Sequence, residues 1–467
     1  MSTLGLLPRA FFDTIVACEA PALWQITPPM HERRIMRLVL DILYFFGLLL
    51  ATPMILWRMI RHGRYRTHIA ERLLGRVPRI AHDGPVVWVH AVSLGETNAS
   101  LLLAKELRTQ IPNVHLVISS TTDTGLAAAV RLYGDAQDAT VIQWPLDFSL
   151  AVATALGRIR PNTVVMMEGE AWPNFLSACQ RRRIPTMIVN ARISPNKGYP
   201  RYKKLGPIAP WLFNKLTRIG CQTQAYADLF ASLGVREDKL CVTGMLKYDA
   251  TSTDGEIKGA EDIVRALGVA GQRLVVAGGT GPGEEEILLD LWNNTLQDKF
   301  PDATLVLVPR KPERFDEVAR LIESRGYALR RRSELPNGST APATDSRTVI
   351  LVDVMGELKT LYSLASAIFV GRSMVPMGGS DMIEAAALGK PTCFGPHTFN
   401  FPQADDLAEH GCVRVQTAEA LDTFLRETLA DPVAAQAAAN GAREFVLAQQ
   451  GASAHNVEMI CDLLKQT

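Results

Sequence analysis

The sequence predicts two doubly wound α/β domains joined by a linker and preceded by a membrane-anchor helix. Three observations lead there. Short apolar runs alternate with helical patterns in two separate series, as expected of parallel sheets whose strands are buried on both faces. A stretch rich in Thr, Ser, Asp, Gly and Lys, residues 248–260, breaks the rhythm between the two series. Residues 38–57, LVLDILYFFGLLLATPMILW, form a nearly all-apolar run of about 20 residues, long enough to cross a bilayer core.

Residues 1–35 read as an N-terminal extension without a clear signal, and Met30 and Met36 are alternative starts. The anchor helix is placed over 36–60. Asp41 lies near the start of the apolar run and Pro53 near its end, so neither sits at the midplane. Arg33, Arg34 and Arg37 precede the run, and Arg58, Arg61, Arg64 and Arg66 follow it. The denser basic flank is C-terminal, which places the bulk of the chain in the cytoplasm. The run is too long for a signal-peptide core and lacks a small-x-small cleavage site. The competing reading is a helix docked on the globular part or lying in the interface.

After a polar joint at 80–84, strands are expected at 86–91, 115–120, 140–144, 163–167, 186–190, 218–222 and 240–243. Helical patterns such as 100–109 and 225–233 lie between them, giving a first domain over 80–248. The second series places strands at 274–278, 304–308, 349–352, 367–371 and 391–394, with a surface loop at 342–347. C-terminal helix is expected over 432–465, in one or two pieces. The second domain is 260–467, and its last helix is a candidate to pack back on the first. Ligands in such sheets bind outside the C-terminal strand ends, so a two-domain chain faces its site into the cleft.

Composition excludes several classes. In 467 residues, 49 basic side chains balance 48 acidic ones, so no global field steers the chain to nucleic acid. The seven cysteines are scattered without a C-x-x-C pair, the usage of buried free thiols in a reducing compartment. No His or Cys pair has metal-ligand spacing, and neither a structural metal nor a cofactor is expected. The loop AGGTGPGEEE (277–286), read as flexible, is neither a Walker A loop nor a dinucleotide fingerprint, which argues against an ATPase or an NAD dehydrogenase.

The chemistry-bearing residues follow the expected strands. Gly378 and Gly379 lie in a loop between a strand and a helical pattern over 381–388, a cradle of N–H groups suited to phosphate. Glu384, in the first turn, is placed to accept hydrogen bonds from ribose hydroxyls. As structure alone, Asp381 and Glu384 form a capping-box variant. Glu96 opens a helix after the first strand as a candidate general base, although Ser93-x-x-Glu96 is itself a capping box, and a helix N-terminus tends to lower a carboxyl's pKa. Glu168 and Glu170 end the fourth strand, and Arg192 ends the fifth as a possible anion contact. Lys247 sits at the hinge, where it could neutralise charge on a leaving phosphate or simply be solvated. Arg310 ends a second-domain strand and suits phosphate. Met355, Gly356 and Glu357 begin another helix, where Gly356 allows close backbone approach.

HAVSLGE, SSTTDTG, MEGEAWPN, NARIS, VTGMLKYD, VPRKPERF, VMGELKTLY and FGPHTFNF occur in this order, and over residues 36–465 the chain resembles the Kdo transferases. These are inner-membrane glycosyltransferases that attach 3-deoxy-D-manno-octulosonic acid (Kdo) from CMP-Kdo to the lipid A precursor, lipid IV(A), in lipopolysaccharide biosynthesis. The resemblance implies a GT-B fold of two Rossmann-like domains with an N-terminal membrane anchor. It implies that Glu96 is the general base, that Glu168 and Lys247 stabilise the transition state, and that the anomeric carbon is inverted. The CMP contacts it implies are Pro309, Arg310, Met355, Gly356, Glu357, Asp381, Met382, Ile383 and Glu384.

Three positions depart from the family's pattern. Its G-G-H-N-P-x-E loop is here Gly378-Gly379-Ser380-Asp381-Met382-Ile383-Glu384, placing a carboxylate near the expected phosphate. Arg372 stands in a usual Gly-Gly-Ser, and is expected to compensate Asp381. A His common near Thr280 is missing. The alternatives are another GT-B enzyme using UDP, such as a sugar-nucleotide epimerase or lipid A disaccharide synthase, and a non-catalytic lipid-binding or scaffold protein.

Overall fold

The computed structural model describes residues 30–62, 67–251, 257, 259–335, 338–345 and 347–465. Residues 1–29 with Cys18, the two arginines Arg64 and Arg66, and residues 252–256 and 258 of the expected linker lie outside the described residues.

Two seven-stranded parallel sheets form the frame. The first contains β1 (Val86–His90), β2 (His115–Ser120), β3 (Ala139–Gln143), β4 (Thr163–Met167), β5 (Thr186–Ala191), β6 (Arg218–Cys221) and β7 (Leu240–Val242), in the order β3-β2-β1-β4-β5-β6-β7. Residues alternate between its faces. Trp88 packs with Trp144, Phe175 and Phe213 on one side, while Val87 and Val89 pack with Leu103, Leu116 and Val189 on the other. The helix Ala452–Leu464 contributes Val457, Ile460 and Leu463 to that second cluster, so the chain's last helix lies on the first domain.

The second sheet contains β8 (Arg273–Thr280), β9 (Ala303–Pro309), β10 (Ala328–Arg331), β11 (Thr348–Leu351), β12 (Ala365–Val370), β13 (Thr392–Phe394) and β14 (Val413–Arg414), in the order β10-β11-β9-β8-β12-β13-β14. Twelve of the fourteen strands fall on the expected runs to within a few residues. The edge strands β10 and β14 do not. β10 is ALRR, half-exposed with a salt-bridged Arg331, and β14 is two residues long, so neither is an apolar run. C-terminal helix is broken by Gly451 into Pro432–Ala448 and Ala452–Leu464.

The anchor helix runs from Met30 to His62, and its apolar stretch Arg37–Arg61 has a mean hydropathy of 2.1. Leu50 is 82% and Ile60 78% exposed. The polar residues near its start are docking points. Asp41 accepts hydrogen bonds from the Ser149 N–H (2.9 Å), the Ser149 hydroxyl and the Asn174 amide (3.0 Å). The Tyr44 hydroxyl donates to Asp147 (3.0 Å), which in turn caps the helix Pro173–Arg181 by accepting from Asn174 N and Phe175 N. A carboxylate in an apolar helix is costly without partners; here the partners come from helix N-termini of the first domain.

Candidate active site

At the end of β1, His90 is fully buried, stacked on Trp144 at 3.7 Å, and its Nδ1 lies 3.0 Å from Ser119 Oγ. Burial pushes this imidazole down to about 3, so it is neutral. The chain then turns through Val92 into the helix Leu94–Gln110, with Ser93 at the N-cap. Glu96 folds back over this turn. One oxygen accepts from Ser93 Oγ and the other from Val92 N, each at 2.9 Å. The capping geometry thus forms, and does not exclude a second role. Contrary to the expected depression at a helix N-terminus, the Glu96 carboxyl is raised, first by burial and also by the Glu168 charge, and its capping hydrogen bonds only partly offset this.

Glu168 directly follows β4, and its φ of 62° is left-handed. The strain is held by backbone bonds on both sides: Glu168 N donates to Val189 O, and Arg192 N donates to Glu168 O. Arg192 Nε also donates to the Glu168 carboxylate at 2.8 Å. Glu170 follows, its Oε2 3.9 Å from His90 Nε2. Burial and then the nearby Glu96 push Glu170 up to about 7. Glu96, Glu168, Glu170 and Arg192 therefore form one acidic group with a single guanidinium.

In the second domain, Gly278 and Gly379 show why small residues stand there. A Cβ on Gly278 would lie 2.1 Å from Tyr362 Oη, and Gly379 has a φ of 87°. The loop after β8, expected to be flexible, is instead strapped down. Buried Glu284 accepts from the N–H groups of Gly281, Arg372, Ser373 and Met374, tying β8 to the end of β12. Thr280 donates to Glu285, which is buried against Arg314 at 2.7 Å. These three charged residues escaped sequence reasoning; the triple Glu after the glycines was the signal for Glu284 and Glu285, and Arg314 had none.

The expected nucleotide contacts divide. Arg310 is exposed just beyond buried Pro309, at the C-terminal end of β9. Met355 is 68% exposed and Gly356 adopts a φ of 96°, but the Glu357 carboxylate is occupied by Arg332 at 2.8 and 2.9 Å. Met382 and Ile383 are fully buried, backbone included, and the Ile383 N–H is already taken by Asp381. Asp381 precedes the helix Ile383–Ala387 rather than opening it, and accepts from Ile383 N at 3.1 Å. Glu384 is raised by burial and then by Asp381.

Lys247 joins the two halves. It lies in the short helix Leu246–Asp249 after β7, and its Nζ is 3.0 Å from Asp381 Oδ2 and 4.5 Å from the Phe401 ring centre. The expected compensation of Asp381 by Arg372 is corrected: Arg372 turns toward the Met377 carbonyl, and Lys247 meets Asp381. Because Lys247 follows a strand end of one sheet and Asp381 a strand end of the other, the C-terminal edges of the two sheets face each other. Among the described residues, no group of three or more His, Cys, Asp or Glu side chains is placed to hold a metal.

Residues 67–250 match the family described as 3-deoxy-D-manno-octulosonic-acid transferase (kdotransferase). A 3-deoxy-D-manno-octulosonic acid transferase of Haemophilus influenzae is 32% identical over 431 residues, covering 90% of this chain and 96% of the relative. The chain belongs to the Kdo transferase family. A Bordetella pertussis member is likewise 32% identical, over 81% of this chain and 87% of its own. Among solved structures, UDP-GlcNAc 2-epimerase from Neisseria meningitidis aligns with a TM-score of 0.55 at 16% identity, over 82% of this chain and all of that one. That likeness shows the two-domain GT-B fold alone. As a member of the family, the chain is a glycosyltransferase.

Proposed function

We propose that this enzyme moves Kdo from CMP-Kdo to the lipid A precursor lipid IV(A), with inversion at the anomeric carbon. The observation that carries the reading is the Lys247–Asp381 contact, which sets the acidic group of the first domain opposite the glycine turn of the second. In this reading Glu96 takes the proton of the acceptor hydroxyl, and that oxygen forms the new bond to the anomeric carbon. The bond from that carbon to the CMP phosphate breaks on the opposite side, and CMP departs with the electron pair. A raised carboxyl suits the role, since a base works best with a pKa near the operating pH. Glu168, oriented by Arg192, is the carboxylate placed near the developing positive charge of the sugar. Lys247 and Arg310 supply positive charge to the leaving phosphate. Gly356 and Glu384 hold the nucleotide beside the Gly379 turn, Pro309, Met355, Glu357 and Asp381 border it, and the buried Met382 and Ile383 pack beneath.

The acceptor is a lipid, and the exposed apolar helix supports work at the inner membrane, with the catalytic domains on the cytoplasmic face. The helix lies along one leaflet in this reading. Leu73 shares an apolar groove with Ile42, Phe45 and Phe46, so the chain returns to the start of the helix after leaving its end. Phe46 to His62 spans roughly 24 Å of helix, and the seven steps from His62 to Ile69 reach at most about 25 Å. A far end across a bilayer would require Arg61, Arg64 and Arg66 to come back through the hydrocarbon, which is prohibitively costly.

The test is transfer by purified protein from CMP-Kdo to a tetraacylated lipid A precursor, read as product mass and anomeric configuration. Glu96→Ala abolishes transfer while CMP still binds. Transfer from a UDP-sugar, or none from CMP-Kdo, overturns the reading.

A further inference from the structure

Asp381 is a carboxylate placed where an anionic phosphate is expected, and a bare negative charge there opposes donor binding. Its surroundings resolve the conflict. Oδ1 is fixed by the Ile383 N–H at 3.1 Å, and the preceding Ser380 hydroxyl is fixed to the Gly279 carbonyl at 2.9 Å. The side chain therefore has one orientation, with Oδ2 directed across the interdomain cleft at the Lys247 ammonium. Lys247 is enclosed from a second side by the Phe401 ring. Beside it, the Gln403 amide reaches Met245 Sδ at 2.9 Å, a further contact between the same two segments.

We propose that Asp381 is a positioning residue, whose carboxylate reaches from the donor domain to hold Lys247 where the departing phosphate collects its charge. The inference rests on the proposed transfer reaction and extends it to a residue that touches neither reacting atom. Both partners are partly exposed, with side chains 35% and 39% accessible, so the pair adds little to stability. Its value is geometric. A free lysine explores many rotamers, and fixing one before the donor arrives removes that cost from the chemical step. An ammonium has three donors, so Lys247 can keep Asp381 while bonding phosphate.

Kinetics of Asp381→Asn, Asp381→Glu, Lys247→Met and the Asp381→Asn/Lys247→Met double variant test this, alongside amine acetylation of Lys247 read by mass spectrometry without substrate. Asp381→Asn lowers kcat by about 10-fold with the KM for CMP-Kdo within about twofold, the signature of an interaction used in the transition state. Asp381→Glu recovers part of the rate, and Asp381→Asn costs nothing further on top of Lys247→Met. Acetylation of Lys247 quickens several-fold in Asp381→Asn. The proposal is overturned by a lower KM at unchanged kcat in Asp381→Asn, which makes Asp381 only a repulsive donor contact, or by equal acetylation of both proteins. Acetylation that responds in a protein unable to transfer Kdo leaves the ion pair standing and removes the reaction, and with it the positioning role.

Discussion

Arg192 and Glu168 are bound twice, once through backbone and once through side chains, across the ends of β5 and β4. The Arg192 N–H donates to the Glu168 carbonyl at 2.9 Å, and Nε donates to its carboxylate at 2.8 Å. Glu168 is left-handed at this point, so the guanidinium fixes a side chain whose own backbone is under strain. Arg192→Ala is expected to lower kcat about 10- to 100-fold with CMP affinity unchanged, since Arg192 is bound to Glu168 and the proposed phosphate contacts are Lys247 and Arg310. Steady-state kinetics with isothermal titration of CMP check both halves.

Glu96→Gln keeps the shape of the cap, because its carbonyl still accepts one N–H, but removes the base. Transfer is expected to fall by ~100-fold or more with thermal stability nearly unchanged. A Tm drop of equal severity would assign Glu96 to the cap alone. Glu168→Gln removes a charge that raises the Glu96 carboxyl, so the acid limb of its kcat–pH profile is expected to move to lower pH.

Glu170 and Asp147 each reach about 7 in the folded protein, raised first by burial. Unfolded carboxyls lose their protons near pH 4. Between these values the folded state binds more protons, so stability falls as pH rises from about 4 to 7. The Tm is expected to decline over that range, and Glu170→Gln to flatten the decline. An identical slope in Glu170→Gln and Asp147→Asn would show that neither group carries it.

Arg314 and Glu285 are buried partners beneath the Thr280 turn. Arg314→Met leaves a buried carboxylate unpaired and is expected to cost about 3–5 kcal/mol in urea unfolding, with weaker CMP binding as the turn loosens. Adding Glu285→Leu should restore much of the stability, because replacing both members removes the buried charge.

Removal of residues 1–61 is expected to leave CMP affinity intact and to release the protein from membranes. Transfer to lipid acceptor in vesicles should drop by ~10-fold or more, while a detergent-soluble acceptor is used as before, because the anchor acts through local concentration. Flotation and the two transfer assays separate these outcomes.

The strands are legible because burial on both faces leaves continuous apolar runs, and the anchor because its own apolar run is of membrane length. Trp88 and Val89 face opposite cores, yet both had to be apolar, so β1 reads as a continuous run. Arg331 in β10 left no such trace, because an edge strand needs neither face covered. Glu96 and Gly379 could also be picked from sequence, since turn chemistry and strand ends mark them locally. Their partners could not. Arg332 takes Glu357, Glu284 fills the N–H groups after β12, and Lys247 meets Asp381, each pair brought together by loops at the C-terminal edges of the sheets. Sequence alone determined which segments become strands, helices and turns, for that is set by local periodicity and backbone preference. Which charge neutralises which was decided only when the two sheets turned their C-terminal edges toward each other, since electrostatic pairing depends on distance in space and is blind to separation along the chain.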